Sequence, residues 1–271
     1  MSLFARPQGD AFEQRLSSGG RYTREQWLKY IFCAQHEFMH RGSNFTYVPD
    51  VELSGDSIVT GRIGRELIVR DNEPPERGMH ERMHPEWQAS VLVVDPKHHE
   101  DGQKAVMQGR EEIGKPIAVF QSLISKLNGD PTSPYTIEAF GIVDPETFWD
   151  FVRKNSGEVV SVSFEAAAPN MFGGKDEFER ELRELRDKEK SQKTKVELLN
   201  DGGLNPDTAR MHQIADYTLK GGGTIKARTK SKKRYNSKSK IQRAQIPGPS
   251  VPETLAQHIV KFVTDLIRGI N

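Results

Sequence analysis

Two five-residue stretches carry the pattern H-E-x-x-H: His36-Glu37-Phe38-Met39-His40 and His80-Glu81-Arg82-Met83-His84. On a helix, histidines four residues apart share a face and can ligate one zinc ion, while the glutamate activates a metal-bound water. That chemistry is metal-assisted hydrolysis, with His36 and His40 as ligands, Glu37 as general base and zinc as the cofactor. It depends on the element beneath the motif. In a strand, His36 and His40 would stand about 13 Å apart, beyond the reach of a single ion. Arg41 directly follows the first motif, and Glu52, Asp56 or Glu66 would have to supply the third ligand without a recognisable frame. The second motif lies between Gly78 and Pro85, downstream of Pro74-Pro75, in a stretch that reads as a polar loop.

Other residues capable of chemistry are more scattered. Asp95, His98, His99 and Asp101 follow the apolar run Ala89–Val94, a position that suits either an acid–base or metal site or a polar turn. Gly61-Arg62-Ile63-Gly64-Arg65 reads as two arginines on a glycine-bearing turn. Cys33, the single cysteine, lies between Phe32 and Ala34 and reads as a small buried apolar residue. It excludes an internal disulfide and cysteine-based zinc fingers. The chain contains no P-loop, no G-x-G-x-x-G fingerprint and no G-x-S-x-G elbow.

The densest signal is electrostatic. Leu219–Arg243 (LKGGGTIKARTKSKKRYNSKSKIQR) holds ten Lys and Arg and no Asp or Glu. The chain as a whole has 39 basic and 38 acidic residues, so the remainder outside this run carries −9. An acidic body with one concentrated cationic segment fits a polyanionic partner, most commonly nucleic acid phosphate, either DNA or RNA. The candidate contacts are Lys220, Gly222, Lys226, Arg228, Lys230, Lys232, Lys233, Arg234, Tyr235, Lys238 and Lys240. Lysine and arginine neutralise phosphates, Gly221–Gly223 would permit close backbone approach, Tyr235 would stack on an unpaired base, and Ser231, Ser237 and Ser239 would donate to phosphate oxygens. The competing readings are a solvated loop, or docking onto the Glu-rich stretch 176–189.

Thr23 to His40 must position the first histidine motif, and it carries two patterns. Thr23 and Gln26 form a capping-box signature, with Trp27, Ile31, Ala34 and Phe38 helically spaced. Tyr30, Phe32 and Ala34 alternate as in a strand. Strands are expected at 45–51, 57–70 and 89–94, helix over most of 103–126, and a compact strand–helix–strand unit over 135–166, with Asp144 capping the helix. A charged helix is expected over 176–193, a short strand at 195–199, a helix at 206–219, and a strand at 224–229 that runs into the basic segment. Residues 253–270 read as an amphipathic helix with Leu255, Ile259, Phe262, Leu266 and Ile270 on one side, a face for the chain's own body or for a protein partner in an oligomer.

The strand ending at Pro169-Asn170, the charged helix after it, Gly221-Gly222-Gly223-Thr224-Ile225-Lys226-Ala227 and the Ser/Lys/Tyr-rich tail together resemble uncharacterised bacterial proteins associated with phage defence. The resemblance covers about 158–240 and implies a role in antiviral defence, near foreign nucleic acid or a phage protein. It brings no catalytic residue. The strand–helix–strand unit is similar to half of a ferredoxin-like RNA-binding fold.

The expected fold is α+β (mixed α/β), with an antiparallel or mixed sheet and packed helices. A flexible arm over 1–22 would precede one domain over 23–245, followed by a linker at 246–252 and a helix at 253–271. No run of about 18 apolar residues is present, so no membrane span is expected. The lone cysteine and the absence of an apolar leader point to the cytoplasm.

Overall fold

The computed structural model describes residues 1–7, 22–55, 58–97, 99, 102–167, 177–189, 191, 193–245 and 255–269. Among these are six helices and eleven strands, with the helices packed on antiparallel sheets in an α+β fold. Where the sequence reads as one domain, the chain divides into two compact units. One contains Met1–Gly19, Lys97–Lys104 and Ser133–Pro247, and the other Gly20–Pro96, Ala105–Thr132 and Gly248–Asn271.

In the second unit, α1 (Arg24–Phe32) begins with the expected capping box: Thr23 accepts from the Gln26 amide, and the Gln26 side chain returns to the Thr23 N–H. The helix stops at Cys33, which is exposed and not buried as its apolar neighbours suggested. The chain then enters β2 (His36–His40), which pairs in an antiparallel hairpin with β3 (Ser43–Pro49). Both patterns in 23–40 are therefore used, one after the other. Strand β4 (Val59–Asn72) pairs residue for residue with β5 (Glu81–Asp95), from Val59↔Val94 to Asn72↔Glu81.

Residues 81–85, read from sequence as loop, thus belong to a long two-stranded arm. Pro85 does not break the arm, because among the described residues no strand pairs with the outer side of β5 there, and the N–H that proline lacks has no ladder acceptor to serve. Arg62 and Arg65 lie inside β4 rather than on a turn. Arg62 pairs with Asp50 at 3.5 Å, and Arg65 Nε donates to the Glu112 carbonyl at 2.8 Å. Strand β6 (Gln103–Met107) replaces the start of the helix expected over 103–126, and helix α2 (Pro116–Asn128) begins at Pro116, where the fixed φ of proline suits a first turn.

The core of this unit is aromatic and aliphatic. Tyr47 is fully buried, and its hydroxyl donates to the Phe32 carbonyl at 2.6 Å, which ties β3 to the end of α1. Burial pushes the Tyr47 phenol far above its ordinary range.

In the first unit, β1 (Ser2–Pro7) pairs along six residues with β7 (Tyr135–Phe140), so the start of the expected arm is a strand. Residues 8–21 of that arm lie outside the described residues. Helix α3 (Glu146–Lys154) starts one residue later than its sequence implied, with Pro145 at the N-cap position, while Asp144 accepts from the Glu146 amide at 3.0 Å. Strand β8 (Val159–Ala167) follows α3, but it does not join β7. It pairs instead with β9 (Lys193–Leu199) and β10 (Gly223–Thr229), and β10 pairs with β11 (Arg234–Asn236), giving the order β11-β10-β8-β9. The ferredoxin-like strand–helix–strand unit is therefore not formed, because its two strands belong to different sheets.

One face of this four-stranded sheet is apolar. Val162, Phe164, Ile225, Ala227 and Tyr235 pack there against Phe148 and Trp149 of α3, Phe178 and Leu182 of α4 (Glu177–Glu189), and Met211 and Ile214 of α5 (Ala209–Tyr217). Alternation along the strands sends every second residue to the opposite face.

The C-terminal helix α6 (Leu255–Gly269) lies against β5, with Ile259 and Val263 buried. Of the expected apolar seam, Ile259 is buried and Phe262 half-buried, and the linker 246–252 and Ile270 lie outside the described residues. Among the described residues no helix is long and apolar enough to cross a membrane.

Candidate nucleic-acid interface

The basic segment is an ordered element with two distinct sides. Along β10, Ile225 and Ala227 point into the core, while Lys226 and Arg228 are exposed. In β11, Tyr235 points inward, and Arg234 and Asn236 point outward. The register places Arg228 directly opposite Arg234 and Lys226 opposite Asn236. On the neighbouring strand, Ser161 stands opposite Arg228 and Ser163 opposite Lys226. The outward face of the hairpin is thus a basic platform bordered by two serine side chains.

The turn joining the two strands is held by its own hydroxyls. Thr229 Oγ1 accepts from the Lys233 amide at 3.0 Å and contacts Ser231 Oγ at 2.9 Å. Ser231 in turn donates to Glu158 at 2.9 Å. Lys232 sits at the tip with φ 64°, a left-handed conformation that the surrounding hydrogen bonds impose on a non-glycine residue. Lys230 and Lys233 reach neutral acceptors, the Gly202 carbonyl at 3.0 Å and Asn155 Oδ1 at 3.2 Å. Among the described residues, Lys226, Arg228, Lys230, Lys232, Lys233, Arg234, Lys238 and Lys240 form no ion pair. Only Lys220 does, with Asp216 at 3.4 Å. Among the described residues no cation of this segment is paired with the Glu-rich helix: Glu181 is paired with Arg210 at 2.6 Å and Glu184 with Lys188 at 3.1 Å.

Several expected contacts are corrected. Tyr235 is 4% exposed, packed against Phe148 and Phe151, and its hydroxyl meets Thr147 Oγ1 at 2.9 Å. Burial raises its phenol above the ordinary range, and no base can stack on it. Changing Tyr235 to Phe is expected to cost about 1 kcal/mol by removing the Thr147 hydrogen bond. Oligonucleotide affinity should be unchanged, which parallel thermal melts and binding titrations would check.

Gly222 is buried beside Tyr217, and a Cβ there would lie 2.5 Å from its ring, so the glycine triplet serves close packing rather than phosphate approach. Ser237 is buried and accepts from the Ile225 amide at 3.0 Å, and Ser239 donates to the Asn236 carbonyl.

Across the same outward face the charge changes character. Ser161 donates to Glu197 of β9 at 3.3 Å. Lys193 contacts Glu138 at 2.8 Å and Glu165 at 3.5 Å. Partial burial would lower the Lys193 pKa, but the two carboxylates outweigh it and raise it. On the β9 side cations stand among carboxylates, with Lys195 opposite Glu165 in the register, whereas the β10–β11 cations face one another.

The zinc geometry is not assembled. His36–His40 is strand β2, so its imidazoles lie too far apart for one ion. His36 Nε2 lies 2.6 Å from the Ile31 carbonyl, and His40 Nδ1 lies 2.8 Å from Ser122 Oγ. Burial, with help from Arg41 and Arg65, holds His40 below the usual imidazole range. Glu37 is exposed on the opposite side of the strand. In the second motif, Glu81–His84 belong to β5, and His84 lies 3.5 Å from Asp71. Among the described residues no group of three potential ligands converges. Asp95 and His99 are described, while His98 and Asp101 lie outside the described residues.

Sequence reasoning missed a cavity of about 500 Å³ lined by Trp149, Arg153, Leu204, Asp207 and His212. His212 stacks on Trp149 at 3.9 Å and bonds Asp207 at 2.8 Å, while Arg153 is engaged by Glu146 and Asp150. Comparison with known protein families, curated proteins and solved structures returns no match for this chain.

Proposed function

We propose that the protein binds nucleic acid through its phosphate backbone, using the outward face and tip of the β10–β11 hairpin. Lys226, Arg228, Lys230, Lys232, Lys233 and Arg234 are the principal contacts, and Lys238 and Lys240 extend them. The observation that carries this reading is the direct opposition of Arg228 and Arg234 on an exposed face with no carboxylate between them. Like charges opposed across a hairpin cost on the order of 0.2–1 kcal/mol, and a phosphate bridging them turns that cost into attraction. Ser161 and Ser163 stand beside these cations in the neighbouring strand.

The chemistry favours backbone contact over base reading. The outward residues of the hairpin include no aromatic side chain, and Tyr235 is committed to the core. Phosphate contacts position a nucleic acid without reading its sequence. In line with the likeness to phage-defence proteins, foreign nucleic acid in a bacterial cytoplasm is the natural target.

Filter binding with labelled duplex DNA, single-stranded DNA and RNA tests the reading. Retention of at least one of these at low salt, with weak dependence on base sequence, is the expected result. No retention of any would overturn it.

A further inference from the structure

The arm formed by β4 and β5 extends beyond the rest of its sheet. Strand β3 pairs with β4 only from Gly61 to Gly64, so on that side Arg65–Asn72 has no paired strand among the described residues. Two-stranded ribbons of this kind are marginal in water, and a strand edge with free N–H and C=O groups recruits another strand. The two edges of the arm differ. Pro85 blunts β5, because it has no N–H to offer. The β4 edge, Arg-Glu-Leu-Ile-Val-Arg-Asp over residues 65–71, has no such protection.

That segment is complementary to itself when reversed. Antiparallel pairing centred on Ile68 sets Ile68 against Ile68 of a second copy and Leu67 against Val69. It sets Glu66 against Arg70 and Arg65 against Asp71. Every charged residue meets its opposite and every apolar residue an apolar one, twice over by symmetry. A shift of one residue would oppose Glu66 to Asp71. Glu66, Ile68 and Arg70 share one face of the arm and are exposed, Ile68 at 61%. Within the chain, Arg70 has only a long, exposed contact to Glu81 at 3.7 Å, which contributes little. Arg65 and Asp71 are already engaged by Glu112 and Arg82, so selectivity rests on Glu66 and Arg70.

We infer that the protein forms a two-fold symmetric homodimer by antiparallel pairing of the β4 edges, fusing two ribbons into a four-stranded sheet. The register within each arm, Pro85 opposite Ile68, Trp87 opposite Glu66 and Met83 opposite Arg70, then gives the composite sheet a defined pattern. A central row Pro85-Ile68-Ile68-Pro85 is flanked by two rows in which Glu66 meets Arg70 between Trp87 and Met83. Isologous closure of this kind uses the same patch on both copies. A seven-residue edge is smaller than a standard interface, so the dimer dissociates on dilution.

Sedimentation velocity of the full chain over a dilution series is the test. The wild type should move between a species of 30.7 kDa and one of twice that mass. Glu66→Arg alone and Arg70→Glu alone each create two like-charge pairs and should weaken the dimer by roughly tenfold to thirtyfold. An equimolar mixture of the two single variants restores both opposite-charge pairs and should regain the wild-type dimer as a heterodimer, as should the double variant with itself. A wild type that stays monomeric at every concentration overturns the proposal. So does a dimer that neither single variant weakens, which would mean another surface joins the copies, or a mixture that fails to associate.

Discussion

Gly223→Ala is expected to destabilise the four-stranded unit by about 3 kcal/mol and to lower its melting temperature by about 10 °C. Gly223 opens β10 opposite Ala166 of β8. A Cβ at this position would stand 2.0 Å from the Glu165 carbonyl oxygen, 2.9 Å from the Glu165 carbonyl carbon and 3.0 Å from Ala166 Cα. All three atoms are backbone of the neighbouring strand, so no side-chain rotation relieves the overlap, and the ladder itself must shift. Gly55→Ala is the matched control: nothing lies within 4 Å of a Cβ there, and its effect should stay within about 0.5 kcal/mol. Differential scanning calorimetry of both variants decides the matter. A Gly223→Ala protein that melts with the wild type would mean that β10 does not sit against β8 as described.

The second large effect concerns binding. Replacing Lys226, Arg228 and Arg234 together by glutamine should lower oligonucleotide affinity about a hundredfold near 0.15 M salt, because each phosphate contact contributes about fivefold through counterion release under those conditions. Stability should move the other way, or not at all. Removing the opposed Arg228 and Arg234 relieves a like-charge pair that the folded hairpin otherwise bears. A loss of affinity without a loss of stability separates a binding role from a structural one. Lys220→Gln, at a residue already paired with Asp216, should change affinity far less. Fluorescence anisotropy titrations alongside thermal melts supply both readouts.

Local signals in the sequence translated well where one residue fixes one backbone group. The Thr23–Gln26 capping box, the Asp144 hydrogen bond to the first turn of α3, the strand β8 and the strand expected at 224–229 all have local causes, and each is present. What depends on pairing was not legible. The segment 135–166 contains a strand, a helix and a strand, but nothing local says that β7 pairs with β1 while β8 pairs with β10. Residues 81–85 read as loop because they lie between Gly78 and Pro85, downstream of Pro74-Pro75, and Pro85 is tolerated because among the described residues no strand pairs with the outer side of β5 there.

The same division applies to the site. Composition located the cationic segment, but it could not separate the residues that face solvent from those that build the core. From sequence, Tyr235 reads as a ring for an unpaired base and Gly222 as a point of close phosphate approach. Strand alternation puts Tyr235 inside, and close contact with Tyr217 does the same for Gly222. The opposition of Arg228 and Arg234 exists only once the hairpin register is known. The histidine motif shows the converse: a correct residue pattern on the wrong element, since His36–His40 is a strand.

The most direct measurement of the binding account is the slope of log affinity against log salt for one labelled oligonucleotide, taken for the wild type and for the variant with Lys226, Arg228 and Arg234 replaced by glutamine. Six hairpin cations on phosphates predict a slope of about −4 to −5 for the wild type, and the loss of three predicts a line shallower by about 2 to 3. A wild-type slope near zero, or two parallel lines, would contradict the assignment of this hairpin to phosphate.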